Sequence, residues 1–132
     1  MASVEPPQGS VSRIRVEIEV RGRGIIQAEL ARHLAPLTCS ALLKSMPVEG
    51  RIHRFSDSFL YAESGLIIGA EKQRSKFKRG DLAYMTSNGA VCMFVKDASI
   101  MQSLNPIGYL RTNIEILDSV QAGDVAVIKK AS

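Results

Sequence analysis

The sequence is poor in aromatic residues, cysteine and long apolar runs, and each shortage excludes a class of protein. It has no tryptophan and only 5% aromatic residues, so its core must be built from Ile, Leu, Val, Ala and Met. Its two cysteines, Cys39 and Cys92, are too few for a disulfide framework, and their apolar neighbours indicate reduced core thiols. Apolar runs such as Leu66–Ala70 are far shorter than the ~20 residues of a membrane-spanning helix.

The remaining composition is typical of one small globular domain. The chain has 132 residues, of which 45% are hydrophobic, and its net charge of +4 is mildly basic. Residues Met1–Gly9 lack the apolar core of a signal peptide, so we expect a cytoplasmic location. His33 and His53 lie far apart, with no cysteine or carboxylate at ligand spacing. We therefore expect no metal site and no cofactor.

The N-terminal part predicts a tail, a hairpin and a helix. Met1–Ser10 contains Pro-Pro, Gly and Ser, so we expect a flexible tail over 1–10 and one domain over 11–132. Apolar and charged residues alternate over 12–20, which predicts a half-buried strand. A turn at 21–24 returns the chain into a second strand over 25–30. Pro36 suits a first helical turn and predicts a helix over about 36–46.

The remainder predicts further strands and one short helix. Asn88-Gly89, within the turn 86–89, is a strong hairpin signal between strands 81–85 and 90–95. We expect loops at 71–80 and 97–106 and a short helix over 113–120. The other predicted strands are 51–55, 59–63, 66–70, 107–111 and 125–129. About eight strands without βαβ alternation predict a mainly β fold, a closed antiparallel eight-stranded barrel capped by two short helices.

Two motifs resemble segments of the cyclophilins. Gly24–Leu30 followed by Ala35–Thr38 resembles their second strand and first helix. Ile52-His53-Arg54, with Phe59 five residues after the arginine, resembles their Phe-His-Arg segment and its following phenylalanine.

The likeness is closer to a smaller, largely archaeal family of cyclophilin-like proteins of unknown function. Those proteins have a Gly-Asp-hydrophobe-x-Tyr strand, here Gly80–Tyr84, and a Gly-x-x-Cys-hydrophobe-Phe strand, here Gly89–Phe94. The final Gly123–Val127 segment is similar as well. The resemblance covers roughly residues 11–130 and implies a cyclophilin-like barrel.

Cyclophilins isomerise X–Pro peptide bonds, and the resemblance implies roles for individual residues. The reaction needs no covalent step, because an arginine that donates toward the proline nitrogen loosens the amide resonance. By resemblance, Arg54 is the catalytic arginine. The implied ligand-binding groove consists of Phe59, Leu60, Ala62, Val91, Met93 and Leu104. At four of these positions the polar or aromatic groove residues of the family are replaced by Ala, Val, Met and Leu. We therefore expect a groove that binds an extended peptide or a small ligand, with weak or no isomerase activity.

Other interpretations of Arg54 stay open. An active prolyl isomerase that works through Arg54 alone is one alternative. A purely structural role in an ion pair is another alternative, because a buried guanidinium needs a partner. The carboxylates considered for such an ion pair are Asp57, Glu63 and Glu71.

The predicted loop 71–80 offers a third function. It carries the densest cluster of cations in the chain, Lys72, Arg74, Lys76, Lys78 and Arg79. Such a cluster attracts phosphates or nucleic acid through counterion release, whereas a plain solvated loop is the simpler interpretation. Only Phe77 lies between the cations, so a base-stacking platform has little support. We expect no membrane partner, and the sequence predicts no oligomeric state.

Overall fold

The computed structural model describes residues 12–131, so the predicted tail over 1–10 lies outside the described residues. The strands are β1 Arg13–Val20, β2 Gly24–Ala31, β3 Val48–Phe55, β4 Phe59–Glu63, β5 Arg74–Phe77, β6 Asp81–Met85, β7 Ala90–Phe94, β8 Ala98–Thr112 and β9 Val125–Lys130. Helix α1 spans Pro36–Ser45, and a 3₁₀ helix spans Ile114–Ser119. Within the described range, no helix has the length and apolar character needed to cross a bilayer.

Eight of the nine strands close into a barrel. The sheet order is β2-β1-β9-β3-β4-β7-β6-β8, and β2 also pairs with β8, which joins the two ends. Each pairing is antiparallel. The ninth strand, β5, pairs only with β8 and lies outside this ring. The structure therefore confirms the predicted mainly β, eight-stranded closed antiparallel barrel, and closure leaves the ring without free edges.

Alternation along the strands fills the barrel with aliphatic side chains. In β1, Val16, Ile18 and Val20 are fully buried, while the intervening charged residues are half-buried or exposed. Helix α1 adds Cys39, Leu42 and Leu43 to the same core, and Leu117 of the 3₁₀ helix joins it. Pro36 begins α1 as predicted, because its missing N–H costs nothing in the first turn.

The predicted strand over 66–70 is wrong. The segment pairs with no strand in the described chain, and side chains bond two of its main-chain carbonyl groups. The Tyr84 hydroxyl donates to the carbonyl oxygen of Leu66 at 2.8 Å. The Asn105 amide likewise donates to the carbonyl oxygen of Gly69 at 3.0 Å. The aliphatic run therefore packs beside the barrel rather than within its sheet.

The loop predicted at 71–80 is wrong in part, and the loop predicted at 97–106 is largely wrong. Strand β5 forms within the first and the beginning of β8 within the second. In β8, Ile100 and Gln102 are half-buried while Ser99 and Met101 are exposed, a strand alternation that the sequence reading missed. Pro106, which suggested a loop, pairs with Ala83 beside a register shift, where a strand tolerates a residue with no N–H. We call β5 together with residues 98–104 of β8 the outer ribbon.

Candidate functional site

The six predicted groove residues are all buried. Their exposed fractions are at most 3%. Leu60, Ala62, Val91 and Met93 belong to the barrel interior, whereas Phe59 and Leu104 belong to a second hydrophobic cluster. Because consecutive residues of a strand point to opposite faces, Phe59 and Leu60 lie on opposite sides of the sheet. The structure does not bring the six together on one open surface.

The outer ribbon covers the sheet beside Phe59. Phe77 of the ribbon stacks on Phe94 with ring centroids 4.5 Å apart, and Phe94 lies 4.9 Å from Phe59. Leu104 is fully buried in the same cluster. The space expected to be an open apolar trough is therefore filled by the protein's own side chains. An extended peptide has no access to these residues while the ribbon stays in place.

Arg54 is exposed and lies one residue before the end of β3. Its register partner is Leu60, so it lies on the inner face of the sheet where the barrel ends. Its side chain forms no ion pair or hydrogen bond with any residue in the described range. None of the three carboxylates considered for a structural ion pair therefore pairs with Arg54. Glu71, one of the three carboxylates considered, binds the N-terminus of α1 instead.

Three of the five predicted basic residues meet at one surface. A depression of about 580 Å³ lies along the outer ribbon, and we call it the basic concave surface. Its lining consists of Arg74, Lys76, Phe77, Lys78, Asp81, Asp97, Ala98, Ser99 and Tyr109. The other two predicted cations have partners elsewhere. Lys72 donates to the carbonyl oxygen of His33 at 3.2 Å, and Arg79 binds Asp118 through two nitrogens at 3.1 Å.

The two carboxylates of this surface are engaged by the chain itself. Asp81 accepts the backbone N–H of Lys78 at 2.8 Å and lies 3.5 Å from Nη2 of Arg74. Asp97 accepts the backbone N–H of Arg79 at 2.9 Å. The ammonium groups of Lys76 and Lys78 form no hydrogen bond or ion pair with residues 12–131. The surface therefore presents two uncommitted cations beside an arginine that Asp81 orients.

Tyr109 connects this surface to a second group of arginines. Its ring lies 5.3 Å from the guanidinium carbon of Arg111 and 6.0 Å from that of Arg13. Glu29 accepts hydrogen bonds from both arginines. The hydrogen bond from Arg111 is the main cause that holds the pKa of Glu29 below its ordinary value. Sequence reasoning missed Tyr109 and Arg111, because β pairing brings them to the basic segment from thirty or more positions along the chain.

A polar network at the start of α1 was also missed. Glu71 accepts the N–H groups of Leu37 and Thr38 at 2.9 and 2.8 Å and the Thr38 hydroxyl at 2.7 Å. Buried Asn105 accepts the N–H of Glu71 and donates to the Thr38 hydroxyl. The first turn of α1 contains no acidic residue of its own. A carboxylate distant in sequence therefore caps the helix, and local pattern gave no signal for it.

The cysteines and histidines form no reactive site in the structure. Cys39 and Cys92 are free and buried, as the sequence predicted for core thiols. Burial raises the pKa of Cys39 to about 12 and also raises that of Cys92, so neither is a thiolate near neutral pH. His53 is exposed and stacks on Tyr61 with centroids 5.2 Å apart. Between residues 12 and 131, no three His, Cys, Asp or Glu residues are grouped as metal ligands.

Comparisons with known proteins point to one fold family. The family model described as Cyclophilin-like matches residues 12–129. A hypothetical protein, AF2241 from Archaeoglobus fulgidus, has a solution structure that superposes with a TM-score of 0.75 at 23% identity, over 91% of this chain and 96% of that one. McbB in complex with tryptophan superposes with a TM-score of 0.73 at 14% identity, over 89% of this chain and 45% of that one. At these identities the two structures show the fold alone. No curated protein matches the sequence.

Proposed function

Because this chain belongs to the cyclophilin-like family, we propose that it is a binding protein of that fold, with a phosphate-bearing small ligand at the basic concave surface and weak or no prolyl isomerase activity. One observation carries the proposal. Lys76 and Lys78 project uncommitted ammonium groups at a depression that Arg74 and the ring of Tyr109 also line.

The charges of this surface support an anionic ligand. Three cations and two carboxylates line it, and both carboxylates accept hydrogen bonds from the chain's own backbone. The guanidinium of Arg74 lies over the ring of Phe77, 5.0 Å from its centroid, and beside Asp81. An arginine held on two sides presents its remaining N–H groups in a fixed direction, which suits the oxygens of a phosphate.

The size of the depression supports a small ligand over a nucleic acid chain. Its volume of about 580 Å³ lies within the range typical of small-molecule sites. A single-stranded nucleic acid site needs several exposed rings on which bases stack. Here Phe77 is 3% exposed, and only Tyr109 offers a partly accessible ring. A nucleotide-sized molecule would place its base on the ring of Tyr109 and its phosphates on the cations of the surface.

The burial of the expected groove supports weak or absent isomerase activity. The mechanism implied by the cyclophilin resemblance uses an arginine beside an apolar pocket that holds the proline ring. Arg54 is accessible, but Phe59 and Leu60 are at most 1% exposed. Without a pocket, a proline substrate gains no fixed position relative to the guanidinium. Arg54 as a catalytic residue therefore remains a prediction that only an isomerase assay tests.

Calorimetric titration with ADP at low and high salt tests the proposed ligand class. We expect the Lys76→Ser/Lys78→Ser variant to bind ADP about tenfold more weakly than wild type, since charge-assisted bonds to phosphate are lost. The matched control is Lys96→Ser, because Lys96 is exposed, near the surface in sequence and absent from its lining. We also expect ADP binding to weaken at high salt.

Two results would remove the proposal. Equal ADP affinity in wild type and in the double variant would show that these lysines do not contact the ligand. Tight, strongly salt-dependent binding of a 20-nucleotide single-stranded RNA, with no ADP binding, would replace the small ligand with nucleic acid.

A further inference from the structure

A second basic depression lies on elements that take no part in the basic concave surface. It has a volume of about 380 Å³ and is lined by Ile14, Arg32, Ser40, Leu43, Lys44 and Lys130. Strand β1, the residue after β2, helix α1 and the end of β9 contribute to it. The two depressions share no residue. An inference about this one therefore does not rest on the proposed function.

The charge of this depression is of one sign. Among the described residues, its lining contains three cations and no carboxylate. The side chains of Arg32, Lys44 and Lys130 form no ion pair with the described residues. Three like charges brought together from three separate parts of the fold repel one another, so their arrangement lowers stability unless an anion lies among them. This contrasts with the basic concave surface, where carboxylates are part of the lining.

Arg32 supplies the second, independent observation. Its Nε atom is buried and has no hydrogen-bond partner in the described part of the chain. Buried N–H groups are nearly always paired, since an unpaired donor costs about 1–3 kcal/mol. The backbone N–H of Arg32 donates to the carbonyl oxygen of Ser12 at 2.7 Å, which fixes where its side chain begins. The residue that carries this orphaned donor thus lines a depression that holds two further cations.

The other lining groups indicate the chemical class of the ligand. Ser40 and Lys44 lie four residues apart on α1, so the hydroxyl and the ammonium share one helix face. Ile14 and Leu43 are apolar, and a bare anion makes no use of them. A phosphate monoester uses the whole lining, with its oxygens on the cations and its organic part on the two aliphatic side chains. We propose that Arg32, Ser40, Lys44 and Lys130 form a second anion site for a phosphate monoester.

A ¹H–¹⁵N NMR titration with phenyl phosphate and inorganic phosphate tests this site directly. The side-chain Nε–H of Arg32 gives its own resonance and reports on the orphaned donor. We expect this resonance to shift saturably with both probes, together with backbone signals of Ser40 and Lys44. Phenyl phosphate should bind several-fold more tightly than inorganic phosphate, because its ring covers the apolar wall.

Two variants locate the binding. Lys44→Gln/Lys130→Gln changes exposed side chains only, so it should fold normally and bind phenyl phosphate about tenfold more weakly. Lys76→Ser/Lys78→Ser should leave the Arg32 shift unchanged, which separates this site from the basic concave surface. The inference is overturned if the Arg32 Nε–H does not move, or if the Lys44 and Lys130 substitutions leave the affinity as in wild type.

Discussion

Substitution of Glu71 by alanine should destabilise the fold through the N-terminus of α1. The carboxylate accepts three hydrogen bonds there, from the N–H groups of Leu37 and Thr38 and from the Thr38 hydroxyl. Ala35, at the N-cap position of the helix, has no polar side chain that could replace these hydrogen bonds. Loss of a capping side chain costs about 0.5–2 kcal/mol, and three lost bonds place Glu71→Ala near the upper end, about 2 kcal/mol. For a chain of this size that corresponds to a melting temperature lower by roughly 5–10 °C.

The effect should depend on pH in a defined direction. Desolvation by burial raises the pKa of Glu71, but the hydrogen bonds from Leu37 and Thr38 outweigh it, and the net pKa is lowered from its ordinary 4.5. A lowered pKa contributes stability that is present above the ordinary value and is lost as the pH falls through the folded-state value. The difference between wild type and Glu71→Ala should therefore be full at pH 7 and shrink below about pH 4.5.

Urea unfolding followed by far-UV circular dichroism measures this difference, since the chain lacks tryptophan as a fluorescent probe. Glu71→Gln is the matched variant: it keeps the size and one acceptor oxygen but removes the charge, so it should lose less stability than alanine. Unfolding of Glu71→Ala at the wild-type urea concentration at pH 7 would show that this carboxylate does not stabilise α1. A difference that stays constant down to pH 3 would also contradict it.

Three further predictions test the covered groove and the barrel. In a proline-peptide isomerisation assay, wild type should accelerate the reaction weakly or not at all; a strong wild-type acceleration that Arg54→Ala abolishes would contradict the proposed function. Phe77→Ala should cost about 3–5 kcal/mol in urea unfolding and increase binding of the dye ANS, because a buried ring that holds the outer ribbon is lost; wild-type stability would show that the ribbon is not anchored there. Gly108→Ala should prevent soluble expression, since its new methyl group would meet the carbonyl oxygen of Glu29; a soluble variant with wild-type melting would be the contrary result.

The sequence pattern within a segment was enough to predict those strands and turns whose conformation depends on neighbouring residues. The alternation of Val16, Ile18 and Val20 defines both the strand and its buried face, and Asn88-Gly89 marks a hairpin through its own conformational preference. Strand β5 has no such signal, because its one buried residue, Phe77, stands among charged residues. Its conformation depends on contacts with β8 and on Phe94, which are distant in sequence.

Contacts between residues distant in sequence also explain why the candidate sites were predicted only in part. Motif positions placed Arg54 correctly near the end of β3, yet what covers a sheet face depends on the whole chain. The outer ribbon was not recognised, so Phe59 and Leu104 were expected on an open surface. The basic segment was visible as composition, but strand pairing decides that Tyr109 joins it and that Arg79 turns to another partner.

The basic concave surface is the proposed ligand site of this cyclophilin-like barrel. A ¹H–¹⁵N NMR titration with ADP tests it most directly, because each backbone amide reports its own position. We expect saturable shifts concentrated on Arg74, Lys76, Lys78 and Tyr109, which need about tenfold more ADP in Lys76→Ser/Lys78→Ser and are unchanged in Lys96→Ser. Saturable shifts centred instead on Arg54 and the β3–β4 turn, or no saturable shift at all, would contradict it.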